Sequence, residues 1–180
     1  MTTPEQIRAL INRLARLDAS ETWEDDLNPA QIGAIDYLAR ANRFSRAPSQ
    51  VAEYLGTTRG TMSQTLKSLL RKGYLTERGS EVDRRSISYN LTHAGFALAC
   101  RHDAMVGAID ALPAMDRESL GKGLSALLAA RLSANNGRAF GICRTCAHHR
   151  LTGDGAHCAL LSVPLTPEET TQICHEQVAA

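Results

Sequence analysis

Aromatic residues are scarce in this sequence, 4% of 180 positions with a single tryptophan, and no apolar run approaches the roughly 18 residues that cross a bilayer. The opening residues lack the basic and apolar regions of a signal peptide, so a cytoplasmic protein without a membrane span is expected. Neither charge is in large excess: 20 Lys and Arg stand against 19 Asp and Glu, which excludes a uniformly basic nucleic-acid coat protein. The 43% of hydrophobic residues excludes collagen-like and disordered chains, and the length suffices for one domain with an appendage, without disulfides. Enzyme signatures are missing too. No nucleotide fingerprint, P-loop, His-Glu-x-x-His or Gly-x-Ser-x-Gly pattern occurs, so catalysis is not expected.

What is present begins with helical periodicity. Ile7, Leu10, Ile11, Leu14 and Leu17 form one stripe of a first helix, and Asn28-Pro29 supplies an N-cap and a first-turn proline for a second, running through Leu38. Ser49 is the expected cap of a short helix from Gln50 to Leu55. Gly56 then turns the chain into another helix reaching about Lys72, and two short helices joined by a tight turn suggest helix-turn-helix. Met62, Leu66, Leu69 and Leu70 face inward in this reading, leaving Arg59, Thr61, Ser63, Gln64, Thr65 and Lys67 outside. The segments 74–76 and 86–91 have strand composition around a charged loop, which makes a wing. Thr92 caps an expected helix reaching Pro113, and a further helix spans Arg117 to about Leu132. Both read as amphipathic, with apolar faces suited to meeting a second subunit beside helix one.

Eight basic and four acidic residues lie between Arg46 and Asn90, a local excess of four positive charges on the elements that would face a duplex. Within this stretch the run Asp83-Arg84-Arg85, followed by a strand and Leu91-Thr92-His93-Ala94-Gly95, resembles the wing signature of the MarR family of winged-helix regulators. Leu27-Asn28-Pro29-Ala30-Gln31, Gly60-Thr61-Met62-Ser63-Gln64 and Leu69-Leu70-Arg71-Lys72-Gly73-Tyr74-Leu75 are similar to the family's second-helix entry, recognition helix and exit. The resemblance covers roughly residues 5 to 134. It implies a homodimer on double-stranded DNA, with two recognition helices in successive major grooves of a palindromic operator and the wings in flanking minor grooves. Arg59 and Gln64 suit guanine and adenine edges, Thr58, Thr61 and Ser63 bases or phosphates, and Arg84 or Arg85 a narrow minor groove, with Asp83 orienting an arginine. Lys67, Arg71 and Arg78 suit phosphates.

Only Cys100 precedes residue 142; Cys143, Cys146, Cys158 and Cys174 all follow it, with spacings of two, eleven and fifteen residues. In a reducing compartment such a cluster points to metal or redox chemistry rather than to a disulfide framework. Four thiolates suit an iron-sulfur cluster, [2Fe-2S] or [4Fe-4S]; zinc is the alternative, with His148, His149, His157 or His175 able to replace one ligand. A reversible Cys143–Cys146 disulfide is a third reading. The expected fold is therefore mainly α with a small β-wing. A winged helix-turn-helix over 28–95 and dimerisation helices over 1–20 and 92–134 make a domain of 1–137, followed by a cysteine-rich metal module over 138–180. The expected function is a DNA-binding regulator whose module senses redox state, oxygen or iron from a place beside the dimer helices. The alternative is a regulator answering to a small aromatic effector, with structural zinc in the tail.

Overall fold

The first helix, α1 (Pro4–Glu21), carries its apolar stripe as the sequence predicts, yet Ile7, Leu10, Leu14 and Leu17 are all exposed in the single chain. This computed structural model describes residues 2–21, 26–79, 87–101, 104–135, 137–153 and 155–180. Helix α2 (Pro29–Arg40) starts on a capping box: the Asn28 side chain accepts the Gln31 amide at 3.0 Å and the Gln31 side chain accepts the Asn28 amide at 3.0 Å. A 3-10 turn, Arg43–Ser45, leads into α3 (Pro48–Tyr54). This helix begins earlier than the expected Ser49 cap, because Pro48 needs no amide partner in the first turn and Gln50 reaches back to the Ala47 amide at 2.8 Å. Thr58 caps α4 (Arg59–Arg71) by accepting the Thr61 amide at 3.1 Å.

Inward-facing residues of three helices make the core. Ile35 and Leu38 from α2, Val51 from α3, and Met62, Leu66 and Leu69 from α4 are almost fully buried around Tyr37. Each such aliphatic side chain contributes about 1.5–3 kcal/mol. Helix α4 ends where the Gly73 amide bonds the Leu70 carbonyl and the Tyr74 amide that of Leu69; Gly73 has φ +80, which a side chain would strain. Strands β1 (Leu75–Gly79) and β2 (Ile87–Leu91) then pair antiparallel, from Leu75 opposite Leu91 to Gly79 opposite Ile87. The ladder is longer on its first strand than the composition of 74–76 suggests. Asp83, Arg84 and Arg85, at the expected wing tip, lie outside the described residues.

The expected helix from Thr92 to Pro113 is two helices, α5 (His93–Ala99) and α6 (Ala104–Asp110). Cys100 forms the exposed C-cap of the first. Helix α7 (Ala114–Ala134) begins earlier than expected, and its exposed Leu120, Leu124, Leu127 and Leu128 recur at helical spacing on one face, with Met115 exposed in the first turn.

The tail is built of strands too short to announce themselves by alternation. These are β3 (Gly141–Ile142), β4 (His149–Thr152), β5 (Gly155–Cys158) and β6 (Val163–Leu165), then a single-turn α8 (Pro167–Thr170) and β7 (Ile173–Cys174). Helix α8 stops at Thr170, and Ile173 pairs with Ile142. Strands β4, β5 and β6 form one antiparallel sheet. Far from lying beside the dimer helices, the tail docks on α2, the 3-10 turn and α3. Phe140 and Ile173 join the winged-helix core, the Asn42 amide donates to the Ile173 carbonyl at 2.9 Å, and the His175 amide donates to Ser45 Oγ at 2.8 Å. Phe140 stands edge-on to Tyr54 with ring centroids 5.3 Å apart. Among the described residues no helix is long and apolar enough to cross a membrane.

Gly95 gives the fold a direct test. It is buried in α5, and an added Cβ would collide with the Tyr74 carbonyl oxygen at the point where Thr92 Oγ1 bonds the Gly73 carbonyl at 2.8 Å. Gly95→Ala is expected to destabilise the chain by about 1–3 kcal/mol. Urea unfolding checks this, with Gly121→Ala on exposed α7, where a Cβ meets nothing within 4 Å, as the neutral control.

Candidate nucleic-acid interface and thiol cluster

Helix α4 divides into two faces as its sequence predicts. Met62, Leu66 and Leu69 are buried, whereas Arg59, Thr61, Gln64 and Lys67 are exposed and Ser63 is half-buried. The Thr58 hydroxyl is spent on the helix cap and lies 2.8 Å from the Thr61 hydroxyl, so this pair shapes the start of the helix besides facing solvent. Arg78 stands exposed on β1 opposite Ser88. Lys72 is held by Gln31 at 3.4 Å and Asp26 at 3.9 Å, which fastens the end of α4 to the start of α2. One contiguous polar face thus carries Arg59 to Lys67, with the wing strands following it.

Arg46 is a residue that sequence reasoning counted only as a charge. Its Nε donates to the Ala41 carbonyl at 2.9 Å, its Nη1 donates to Asn90 Oδ1 at 2.7 Å, and its own carbonyl accepts the Tyr89 amide at 3.1 Å. It therefore joins the turn after α2 to the second wing strand. Burial pulls its pKa down, while Glu169, Tyr37 and Glu168 oppose the shift, and a guanidinium stays charged throughout the physiological range. Tyr37 supports the same turn from below: its hydroxyl donates to the Ser45 carbonyl at 2.7 Å, and burial raises its pKa.

Residues 25–86 match the sequence profile of the MarR family. That match spans the winged-helix segment and not the rest of the chain. The solved structures agree with it in fold. A MarR transcriptional regulator from Methanosarcina mazei Go1 is 22% identical with a TM-score of 0.60, over 72% of this chain and 99% of that one. FabT of Streptococcus pneumoniae, in a complex with DNA, is 29% identical with a TM-score of 0.55, over 72% and 95%. The S. aureus MepR–DNA complex is 18% identical with a TM-score of 0.55, over 72% and 98%. No curated protein matches the chain. These likenesses leave more than a quarter of the chain uncovered, so the cysteines of the tail must be read on their own geometry.

All five cysteines are free thiols. Cys143, Cys174 and Cys158 share an apolar cluster with Phe44 and Leu165, and burial, reinforced by Cys174, Cys158 and Cys146, pushes the Cys143 thiol up to about 11. Cys146 lies in the same neighbourhood, and its Sγ accepts the His148 and Val178 amides, each at 3.5 Å. Burial also raises the Cys174 thiol, although the Asn42 side chain, the Glu176 amide and the Ser45 hydroxyl all pull it down. Asn42 Nδ2 is buried with no acceptor at ordinary hydrogen-bond geometry. A buried donor of this kind beside a thiol suits a thiolate. Likewise His149 Nε2 is buried without a partner, on the β4 residue directly opposite Cys158.

Among the described residues no three His, Cys, Asp or Glu side chains stand in a geometry that could hold a metal ion. The chain segments nevertheless bring the four predicted cysteines together, and the donors around Cys146 and Cys174 fit charged sulfur. The other histidines differ: His175 is tied to Glu53 at 3.2 Å and Glu176 at 3.1 Å. Burial opposes ionisation of Glu176, but Arg138 and His175 hold its carboxyl below the usual range. The sequence could flag His149 only as one histidine of four.

In the reduced, metal-free chain near neutral pH, iodoacetamide is expected to label exposed Cys100 well before Cys143, whose thiolate becomes abundant only as pH approaches about 11. Mass spectrometry of peptides from a labelling time course checks the order.

Proposed function

We propose that the chain is a homodimeric, sequence-specific DNA-binding transcriptional regulator of MarR type. The observation that carries this reading is α4, whose inner face is locked into the core while Arg59, Thr61, Gln64 and Lys67 present an uninterrupted polar face, with a β-wing directly after it. Arg59 and Gln64 are the base-reading side chains, and Lys67 and Arg78 neutralise phosphates. The exposed apolar faces of α1, α6 and α7 are the dimerisation surface. DNA in complex with MepR and FabT is what their structures contain, and the same partner class is proposed here.

The C-terminal module is proposed to hold a metal through Cys143, Cys146, Cys158 and Cys174, as an iron-sulfur cluster that answers to redox state, oxygen or iron. When bound, such a cluster supplies reversible one-electron chemistry and sensitivity to oxidants. The chain's own contribution is to lower the cost of four thiolates, three of them buried, through the amides at Cys146 and the Asn42, Ser45 and Glu176 donors at Cys174. Structural zinc is the second reading, favoured by the unpartnered His149 Nε2 and by the small apolar cluster that otherwise holds the module. In that case the effector is a small aromatic ligand.

Selection of bound duplexes from a random pool tests the DNA reading: enrichment of a palindromic site is expected. Arg59→Ala should weaken binding by about 1–3 kcal/mol and relax preference at one base position. Loss of affinity without any change in preference would remove Arg59 from base readout. Protein purified without oxygen should be brown, with iron and sulfide lost in Cys143→Ala; colourless protein with one zinc per chain would favour the second reading.

A further inference from the structure

The turn after α2 and the wing strands line a cleft that the recognition helix does not share. Its lining is Arg43, Arg46, Arg78, Gly79, Ser88 and Asn90, and its volume is about 110 Å³. A water takes roughly 30 Å³ of liquid, so this space holds one phosphate-sized group rather than a drug-sized ligand. Three arginines line it, each held differently. Arg46 is fixed by the Ala41 carbonyl and by Asn90, and its Nη2 carries no hydrogen bond among the described residues. Arg43 is set by the module: Nη1 pairs with Glu169 at 2.7 Å, Nη2 donates to the Pro164 carbonyl at 3.2 Å, and the guanidinium lies 4.5 Å from the centroid of the Phe44 ring. Arg78, across from Ser88 on the ladder, has no ion pair or hydrogen bond among the described residues.

The charges do not cancel. Glu169 is only 6% exposed and pairs with Arg43, and it and Glu168 both act on Arg46, so three arginines face two carboxylates and Arg78 carries the excess at the cleft. A planar guanidinium fork presented from a fixed position is the side-chain geometry that suits a phosphate. The site also sits in the right place. Arg78 and Gly79 close the described end of the hairpin, next to its tip, and phosphates line both sides of any minor groove that a wing tip enters.

We propose that Arg43, Arg46 and Arg78 form a seat for a phosphate of the DNA backbone beside the wing, and that the C-terminal module contributes to the DNA-binding surface because Glu169 and Pro164 fix Arg43 at the wall of that seat. The inference rests on the DNA-binding reading above but not on the identity of any metal. It accounts for the module's docking on the turn after α2 rather than elsewhere on the chain. It also gives Arg78 and Arg43, which lie on the wing and on the turn after α2 rather than on the helix of the base-reading Arg59, a role that carries affinity without sequence preference.

The test uses the full chain and its selected operator. Arg78→Ala, an exposed change with no side-chain partner among the described residues, should weaken operator and unrelated duplex alike and lower the slope of log affinity against log salt by about one. Arg43→Ala should do the same where its melting curve shows that it folds. Ethylation of one backbone phosphate per half-site should block the wild type and cease to matter for Arg78→Ala. An unchanged salt slope and an unchanged ethylation pattern, in a chain that still binds its operator, would overturn the proposal. Titration of inorganic phosphate, followed at the Arg46 and Arg78 side-chain NMR signals, separates the sources: shifts in the free chain that vanish with operator bound support a backbone phosphate. Shifts that persist in the complex assign the cleft to a free phosphate and overturn the DNA assignment. If the wild type enriches no duplex, the functional reading fails, and the same titration on the free chain still decides whether the cleft binds phosphate.

Discussion

Five residues, Asn42 to Arg46, join the tail, the winged-helix core and the wing, because they accept and donate hydrogen bonds in three directions at once. The tail reaches them through Ile173 and His175, the winged-helix core through the Tyr37 hydroxyl, and the wing through Tyr89 and Asn90. Ser45 illustrates the arrangement: its hydroxyl donates to Asn42 Oδ1 at 2.8 Å and accepts the His175 amide, while its carbonyl accepts from Tyr37. A buried donor or acceptor that loses its partner costs about 1–3 kcal/mol, so a turn wired this way has one arrangement and its neighbours share it. Packing reinforces the wiring through Phe140, which sits between Tyr54 and His175 at φ 50, a left-handed conformation that a bulky residue keeps only under surrounding constraint.

That constraint changes how the two halves of the molecule relate. A tail lying along the dimerisation helices would act on DNA by changing the spacing of two recognition helices. A tail bonded to the turn after α2 is connected instead within its own chain, to α3 and to the second wing strand. The four thiols lie at this junction, with Cys174 adjoining His175 in sequence and the Asn42 amide at its side. Any change in what the thiols bind is thus felt first by the turn, a contiguous physical route of the kind that coupling between sites requires.

The winged helix was legible because each of its signals is local and strong. Asn28-Pro29-Ala30-Gln31 spells out a capping box, Met62, Leu66 and Leu69 keep strict helical spacing, and Thr92 with Gly95 marks a close approach of helix and strand. The tail was legible in its cysteines and not in its fold: strands of two to four residues show no alternation, and their pairing is decided by contacts far apart in sequence, such as Ile142 with Ile173. The break at Cys100 was hidden for a related reason, since alanine-rich helical composition continues on both sides of it. Arg43 and Arg46 carried no motif. Their importance lies in partners more than forty residues away, Glu169 and Asn90, which only the folded chain brings near.

The central claim is that tail and winged helix open and close as one body through the turn at 42–46. Hydrogen exchange by mass spectrometry on the intact chain, beside Cys143→Ala, tests it most directly. The account predicts that faster exchange over 140–175 in the variant is accompanied by faster exchange over 42–54 and 87–91, with α1 and α7 unchanged. Faster exchange confined to the tail, with 42–54 and 87–91 as protected as before, would contradict it.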